Sequence, residues 1–367
     1  MPDRPSEFTV LTTAAVDVAK LAAEHAAEAE HRRSLPEAVV EALISAGFAR
    51  HFAPVAHGGR AGRFTDVVTA VATVGAGCTS AAWGASLTAH LPRMAAYLPE
   101  QGQADIWQDG PDTLVVGALM PLGRAEPAPG GWRVSGRWPY VSLVEFSEWA
   151  LVCAVTPSGT TAETRFFAVP RDAYAFEDSW DSVGMRGTGS HTLVMDDVLV
   201  PAHRSFLRDT VVTGAARDGA SPCHRVPLKA VNGLCFAAPV LGAARAAADA
   251  WRALASGRGS LTDAAAADLA RATGETDAAE LLLLRAATTA DRGTVDTMEV
   301  ARAARDCALA ADLSVTAVER LLRGAGTRGQ QQGSPLQRAW RDAHSAASHV
   351  VLQFQPAAVE YARQLTA

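Results

Sequence analysis

The hydrophobic periodicity of this 367-residue chain changes twice, and the two changes limit the folds that it can adopt. After Pro227 the pattern is helical to the end of the chain, with glycines at the breaks. It predicts four long helices, at about 228–256, 262–292, 295–323 and 336–364. Because these segments are long and rich in alanine, we expect an antiparallel four-helix bundle over residues 227–367.

Between residues 118 and 226 the period becomes two. The period places Trp132, Val134, Trp138 and Tyr140 on one face, with Arg133, Ser135 and Arg137 between them, which indicates a half-buried strand. Further strands are predicted at about 149–155, 164–169 and 191–200. Turn residues rather than helices separate these strands, so we expect an antiparallel β-barrel.

The first 117 residues are predicted to be helical, with helices at about 16–32, 65–74, 80–96 and 100–107. Ser34 and Glu37 fit a capping box at the start of one more helix. The expected fold class is therefore α+β multidomain. Its three parts are an N-terminal α-helical domain (1–117), a middle antiparallel β-barrel domain (118–226) and a C-terminal four-helix bundle (227–367).

Composition argues against several classes of protein. With 33 Lys and Arg against 39 Asp and Glu, the net charge of −6 disfavours nucleic-acid binding, because neutralising phosphates requires clustered positive charge. No stretch approaches 18 uninterrupted apolar residues, so we expect no membrane span. Residues 1–20 lack the layout of a signal peptide, and the five cysteines lack CxxC spacing. We therefore expect a cytoplasmic protein in a reducing compartment, without a disulfide framework.

Two histidines near the end of the chain, His344 and His349, raise the question of a metal site. Five residues apart on a helix, they lie about 140° apart around its axis, and no carboxylate pattern accompanies them. We therefore predict no metal. Periodicity alone makes His349 a boundary residue of the apolar stripe, and a functional imidazole is the alternative.

Two glycine-rich stretches each allow two interpretations. Residues 324–329 match GxGxxG, but a helix rather than a strand precedes them, which argues against a dinucleotide-binding fingerprint. They form either an inter-helix turn or a close approach to a ligand. Residues 184–190 combine three glycines with Thr188 and Ser190, which fits a hairpin turn or a ligand-lining loop.

Four rings, Trp83, His90, Trp138 and Tyr140, could similarly belong to the core or form a stacking platform for a planar ligand. No P-loop, HExxH or EF-hand pattern occurs. Composition and spacing therefore predict an architecture and no particular reaction.

Several stretches are similar to one known family. They are residues 78–83 (CTSAAW), 135–142 (SGRWPYVS), 184–190 (GMRGTGS), 197–201 (DVLVP), 241–245 (LGAAR) and 340–342 (WRD). They resemble the flavin-dependent two-component monooxygenases of the acyl-CoA dehydrogenase fold. Residues 94–123 and 328–337 resemble in particular the large component of the aromatic polyketide hydroxylases of actinorhodin biosynthesis.

The resemblance implies a reaction. A separate NAD(P)H-dependent flavin reductase would supply reduced FMN, with FAD as the alternative flavin. Oxygen would add to form a C4a-hydroperoxyflavin, which would hydroxylate a naphthoquinone or hydroquinone in antibiotic biosynthesis. The protein would bind the flavin and the substrate, orient them and exclude water from the site. The family also implies a homotetramer.

The resemblance further assigns roles to residues of this chain. As catalytic residues, His349 would bond the phenolic oxygen and take its proton, with an imidazole pKa near 6.5, and Ser142 would lie beside flavin N5. The substrate side would be lined by Trp83, His90 and Phe354. The flavin side would be lined by Trp138, Tyr140, Val141, Ser142, Thr188 and Ser190. A neighbouring subunit's flavin phosphate would be reached by Gly324, Gly326 and Thr327.

Three further classes of protein fit the same sequence. The first is an acyl-CoA dehydrogenase, which is disfavoured because no acidic residue follows Arg341-Asp342 until Glu360 and that chemistry needs a carboxylate base. The second is an N-hydroxylase or Baeyer–Villiger enzyme on the same fold. The third is a non-catalytic flavin-binding protein.

Overall fold

The computed structural model describes residues 8–158, 161–216, 218–256 and 261–366. It begins with seven α-helices, at Phe8–Glu24 (α1), Ala26–Arg32 (α2), Glu37–Ser45 (α3), Phe48–His51 (α4), Phe64–Gly77 (α5), Thr79–Ala95 (α6) and Glu100–Ile106 (α7). Helices α5 and α6 are largely buried, as expected from their apolar sequences. The capping box predicted at Ser34 and Glu37 is wrong, because Pro36 is the N-cap of α3 and Ser34 hydrogen-bonds Glu145 instead.

One sheet follows. Its described strands are Val115–Ala128 (β1), Gly131–Val141 (β2), Trp149–Ser158 (β3), Thr161–Pro170 (β4), Ala175–Glu177 (β5), His191–Pro201 (β6) and Ser205–Leu207 (β7). Their order is β5-β6-β2-β1-β3-β4-β7. Neighbouring strands are antiparallel, as predicted, except β1 and β3, which run parallel. The sheet is therefore mixed.

Irregular pairing in β1 and β2 interrupts the two-residue period. In the β1–β3 ladder, Ala118 pairs with Val152 and Gly123 pairs with Ala154, so residues 119–122 bulge from the sheet. In the β2–β6 ladder a second irregularity falls between Trp138 and Val141. Tyr140 lies within it at a φ of 65°, and its side chain is 74% exposed. The alternation predicted through Tyr140 therefore fails at this bulge.

Two short helices, Arg208–Thr213 (α8) and Pro222–Arg225 (α9), lead into three long ones. These are Leu228–Ser256 (α10), Asp263–Asp291 (α11) and Thr297–Ala325 (α12). Thr262 caps α11, and a capping box of Asp296 and Glu299 starts α12. Helix α10 is long and apolar enough to cross a membrane, but 83% of its most apolar window is buried inside the fold. A buried helix in the core of a bundle has the same length and the same apolar composition.

The fourth predicted helix is broken. It forms α13 at Pro335–Ala347 and α14 at Phe354–Thr366, with a single 3-10 turn at Val350–Leu352 between them. His349 is the residue where the helical path ends, with φ −58° and ψ 135°. The break matters because it turns the His349 ring toward α6 and α10.

Candidate active site

Three side-chain hydroxyls form a hydrogen-bonded chain between the end of β2 and the start of β6. The oxygens of Ser142 and Ser190 are 2.8 Å apart, and those of Ser190 and Thr188 are 2.7 Å apart. Thr188 also donates to the carbonyl oxygen of Met185 at 2.9 Å. Three hydroxyls predicted at the flavin side are therefore buried together.

An aromatic group adjoins these hydroxyls. The indole N–H of Trp83, on α6, donates to Ser142 Oγ at 3.1 Å. The Trp83 ring lies 5.0 Å from the Phe236 ring and 5.8 Å from the His349 ring. We call Trp83, Ser142, Ser190, Phe236 and His349 the junction cluster. It joins the N-terminal helices, the sheet and the C-terminal helices at one point.

The break in the last helix fixes the His349 imidazole. Its ring stacks on Phe236 with centroids 3.7 Å apart and 21° between the planes. The backbone N–H of Val351 donates to His349 Nδ1 at 3.3 Å. Since an N–H can only donate, Nδ1 is an acceptor here, and in the neutral ring Nε2 carries the hydrogen.

Burial lowers the pKa of His349 from 6.5 to about 4, because the half-buried ring is removed from water and no acidic side chain in the described part of the chain stabilises its cation. The ring is therefore neutral at pH 7. The lowered pKa differs from the imidazole pKa near 6.5 that the resemblance implies, and it makes His349 a weak base. Its Nε2–H is better suited to donate a hydrogen bond to an oxygen that carries negative charge.

Helix α13 holds the loop that carries Thr188 and Ser190. The carboxylate of Asp342 accepts from the backbone N–H of Met185 at 2.6 Å. A Cβ on Gly184 would lie 2.3 Å from the carbonyl oxygen of Arg341, so only glycine allows this approach. Burial raises the pKa of Asp342 to about 6.

Other residues predicted at the flavin lie outside the cluster in this chain. Trp138 is fully buried in the sheet, where its indole donates to the carbonyl oxygen of Cys153 at 2.8 Å. Val141 is also buried in the core, and Tyr140 lies on the surface near Trp180. Their predicted contacts with flavin remain predictions.

The remaining predicted residues occupy three other places. Phe354 begins α14 and is 39% exposed. His90 lies two turns beyond Trp83 on α6, in a separate cavity. Gly324, Gly326 and Thr327 lie where α12 ends, before α13 begins, whereas His349 follows the other end of α13, about 20 Å along that helix.

Sequence reasoning missed Phe236 and the contact between Asp342 and Met185. Phe236 sits in a continuous apolar stretch of α10 and looks like any core residue. In the sequence Asp342 stands out only as part of the Arg341-Asp342 pair. Its hydrogen-bond partner, Met185, is 157 residues away, so no local spacing rule indicates the contact.

The acidic groups closest in sequence to His349 are engaged elsewhere. Asp342 binds Met185, and Glu360 is exposed and pairs with Arg363 at 3.8 Å. Within the described ranges, no group of three or more His, Cys, Asp or Glu side chains could hold a metal ion. The cluster therefore provides hydroxyls, a neutral imidazole and aromatic walls.

Known proteins share this arrangement of domains. The sequence matches the acyl-CoA dehydrogenase N-terminal domain over residues 8–105 and the acyl-CoA dehydrogenase C-terminal domain over residues 234–354. It is 32% identical to the oxygenase component of an FADH(2)-dependent resorcinol hydroxylase from Rhizobium sp. (strain MTP-10005), covering 92% of this chain and 89% of that protein. It is 30% identical to the flavin-dependent monooxygenase oxygenase subunit HsaA of Rhodococcus jostii (strain RHA1), covering 92% and 93%.

This chain belongs to the oxygenase components of the flavin-dependent monooxygenases. The crystal structure of 3-HSA hydroxylase from Rhodococcus sp. RHA1 superimposes with a TM-score of 0.92 at 28% identity, covering 97% of both chains. XiaF from Streptomyces sp., solved in complex with FADH2 and glycerol, also gives a TM-score of 0.92 at 28% identity, covering 98% of this chain and 97% of XiaF. The predicted fold class and the predicted enzyme class are confirmed.

Proposed function

We propose that this oxygenase component takes reduced FMN from a separate NAD(P)H-dependent flavin reductase and, with O2, hydroxylates an aromatic polyketide of the naphthoquinone or hydroquinone type in antibiotic biosynthesis. The observation that carries the proposal is the neutral His349 ring, stacked on Phe236 beside a chain of buried hydroxyls. The resemblance of residues 94–123 and 328–337 to actinorhodin-pathway hydroxylases supports the substrate class. XiaF was solved in complex with FADH2 and the resorcinol hydroxylase is FADH(2)-dependent, so FAD is the alternative flavin.

The residues present fit a flavin. Hydroxyls donate and accept, so Ser142, Ser190 and Thr188 suit the polar edge of a flavin ring, which displays both donors and acceptors. Bound reduced flavin supplies the two electrons that activate O2. Ser142 is the hydroxyl best placed to contact the flavin ring. It joins Ser190 to Trp83 and so lies between the polar and aromatic parts of the cluster.

His349 orients the aromatic substrate. We assign its Nε2–H the role of donor to the phenolic oxygen, which stabilises the phenolate and leaves the ring rich in electrons. Because Nδ1 accepts from Val351 and burial lowers the pKa of His349 to about 4, the imidazole does not take the phenolic proton, which is released to water when the substrate binds as its phenolate. Trp83 and Phe236 supply flat apolar walls, which hold the aromatic ring and exclude water that would divert oxygen to hydrogen peroxide.

We also propose that the enzyme is a cytoplasmic homotetramer. Gly324, Gly326 and Thr327 are remote from His349 within the chain, so a role at a flavin phosphate requires the flavin of a neighbouring subunit. Light scattering during gel filtration measures the mass in solution. A mass four times 38.3 kDa is expected, and a monomer would remove these three residues from the site.

Anaerobic titration tests the cofactor and the reaction. The protein is titrated with reduced FMN and, separately, with reduced FAD, and is then mixed with O2 with and without a dihydroxynaphthoquinone in its reduced form. We expect tighter binding of FMN and a hydroxylated product detected by mass spectrometry. If resorcinol is hydroxylated and the dihydroxynaphthoquinone is not, the substrates are small phenols, as for the related resorcinol hydroxylase.

The products of these mixtures also distinguish an aromatic hydroxylase from enzymes with a different reaction. A ring-expanded or N-oxidised product would indicate a Baeyer–Villiger enzyme or an N-hydroxylase. In a separate anaerobic mixture of the enzyme, oxidised flavin and an acyl-CoA, reduction of the bound flavin would indicate a dehydrogenase. Hydrogen peroxide as the sole product with every substrate would contradict the proposal and favour a flavin-binding protein.

A further inference from the structure

A small cavity borders the Phe236 ring, which also stacks on His349. The cavity lies between α6, β1 and α10, and most of its lining is apolar. Its polar lining consists of His90, Arg93 and Asn232. A water-sized sphere can move through about 20 Å³ of the cavity. One water molecule needs roughly 10–15 Å³, so the space suits a single water and no larger group.

His90 provides a hydrogen-bond acceptor at this cavity. Its Nδ1 lies 2.8 Å from the carbonyl oxygen of Ser86, so Nδ1 carries the hydrogen of the neutral ring and Nε2 is an acceptor. Burial lowers the pKa of His90 to about 4, and the nearby Arg93 cation acts in the same direction, so the ring is neutral at pH 7. The side chain is 8% exposed, and Nε2 is buried with no hydrogen-bond partner among the described residues. Buried polar atoms are nearly always hydrogen-bonded, which indicates a bound molecule that donates to this nitrogen.

Arg93 provides hydrogen-bond donors at the same cavity. Its side chain is only 1% exposed, and its guanidinium lies over the Phe64 ring at 5.5 Å. Nε donates to the carbonyl oxygen of Cys223 at 2.7 Å, and Nη2 donates to that of Val226. In the described ranges of the chain, Nη1 has no acceptor. Because a buried cation is stable only when its N–H groups are hydrogen-bonded, an acceptor is expected beside Nη1.

Asn232 brings a third polar group to the lining. It lies on α10, three residues before Cys235 and four before Phe236, so these side chains share one face of that helix. Its half-buried side chain has no hydrogen-bond partner within the part of the chain that the structure describes. An amide both donates and accepts, so the cavity combines an acceptor, a donor and a group that can do either.

This combination favours water over an ion. An anion would accept from Arg93 but would face the lone pair of His90 Nε2, and a cation would face the Arg93 charge. A water molecule accepts from one residue and donates to the other.

We propose that the cavity binds one buried water molecule, which accepts from Arg93 Nη1 and donates to His90 Nε2 and to the side-chain oxygen of Asn232. Buried waters in proteins typically make about three hydrogen bonds, the number available at this site. The water joins α6 to α10 next to Phe236, the residue on which His349 stacks. Since Phe236 contacts both the cavity and the imidazole, its ring separates the bound water from His349.

Crystallography of the unaltered protein, at a resolution that shows ordered water, tests the proposal. We expect one density peak at about 2.7–3.2 Å from both His90 Nε2 and Arg93 Nη1. A second crystal is soaked in sodium bromide and examined for anomalous scattering, because bromide replaces a bound chloride ion but not a water. Absence of a peak, a peak bonded to only one of the two residues, or bromide at this position would overturn the proposal.

A matched pair of variants then tests the role of His90. His90→Leu removes the acceptor and should eliminate the peak, whereas His90→Gln keeps an acceptor and should retain it. In solution, magnetic relaxation dispersion of water ¹⁷O counts the long-lived buried waters, and His90→Leu should have one fewer per chain than the unaltered protein. A peak that persists in His90→Leu, or equal counts for the two proteins, would show that His90 does not hold the water. If His90→Leu does not fold, the crystals of the unaltered protein still decide the proposal.

Discussion

The Phe236 ring stacks on the His349 imidazole, with 3.7 Å between the ring centroids. Phe236 belongs to the first helix of the bundle and His349 to the break in the last one, so the contact joins two distant parts of the chain. It leaves Nε2 of His349 as the hydrogen-bond donor, because Nδ1 accepts from Val351. The position and the protonation of this imidazole therefore follow from packing.

The first prediction concerns His349. His349→Ala should keep the fold and reduce hydroxylation at least about a hundredfold, because the donor to the phenolic oxygen is lost. Product and hydrogen peroxide formed per flavin oxidised measure the effect, and peroxide should rise. His344→Ala is the control, since His344 lies on α13 just before the break but is exposed and close to Glu319. Unchanged coupling in His349→Ala would remove this residue from the mechanism.

Ser142→Ala tests the hydroxyl chain. The substitution removes the acceptor of the Trp83 indole and the partner of Ser190, so O2 should reoxidise the reduced flavin about tenfold faster, with release of hydrogen peroxide. Stopped-flow absorbance during reoxidation provides the rate. Ser348→Ala, at a hydroxyl beside His349 in the sequence, should leave it unchanged. Identical rates for the Ser142→Ala variant and the unaltered enzyme would count against a role for this hydroxyl.

Much of the fold could be predicted because its signals are local. The bounds of α10, α11 and α12 lie within about two residues of prediction, since glycines and the caps at Thr262 and Asp296 mark the ends. The exact position of the break at His349 could not be predicted. Pro356, in the first turn of α14, indicates that a new helix begins there, but neither glycine nor proline occurs at His349 itself, and the Phe236 contact is tertiary.

The site was predictable only in part, because several of its contacts join residues that are far apart in the sequence. Ser142, Thr188 and Ser190 were found through resemblance, and the structure brings them together. Extrapolating the two-residue period placed Trp138 and Tyr140 on one face. A bulge between β2 and β6 separates them, and it depends on the pairing of strands about fifty residues apart.

Asp342 should position the loop that carries Thr188 and Ser190. Asp342→Ala leaves the buried Met185 N–H without an acceptor and should lower the free energy of unfolding by about 1–3 kcal/mol. Asp342→Asn keeps an acceptor oxygen and should recover most of that loss. Urea unfolding monitored by circular dichroism provides both values. Equal destabilisation by the two substitutions would show that the hydrogen bond is not the cause.

Stability should fall in mild acid. Burial lowers the pKa values of His51, His90, His224 and His349 to about 4, so between pH 6.5 and 4 the unfolded chain binds these protons and the folded chain does not. Each histidine therefore contributes stability above pH 6.5 that is lost as the pH falls.

Two buried carboxyls oppose this trend. Burial raises the pKa values of Asp66 and Asp342 to about 6, so their contribution is complete below about pH 4 and is lost as the pH rises through 6. Because four histidines outnumber two carboxyls, we expect Tm to decrease between pH 7 and pH 5. A Tm that is constant or increases over this interval would contradict the assigned protonation states.

The central claim is that the junction cluster directs activated oxygen to an aromatic ring. Mass spectrometry of the product formed under ¹⁸O2 tests it most directly, with reduced FMN, the unaltered enzyme and a reduced dihydroxynaphthoquinone. We predict one ¹⁸O atom in each new hydroxyl group and little hydrogen peroxide. Oxygen derived from water in the product, or reoxidation of the reduced flavin with hydrogen peroxide as the only product of O2, would contradict this claim.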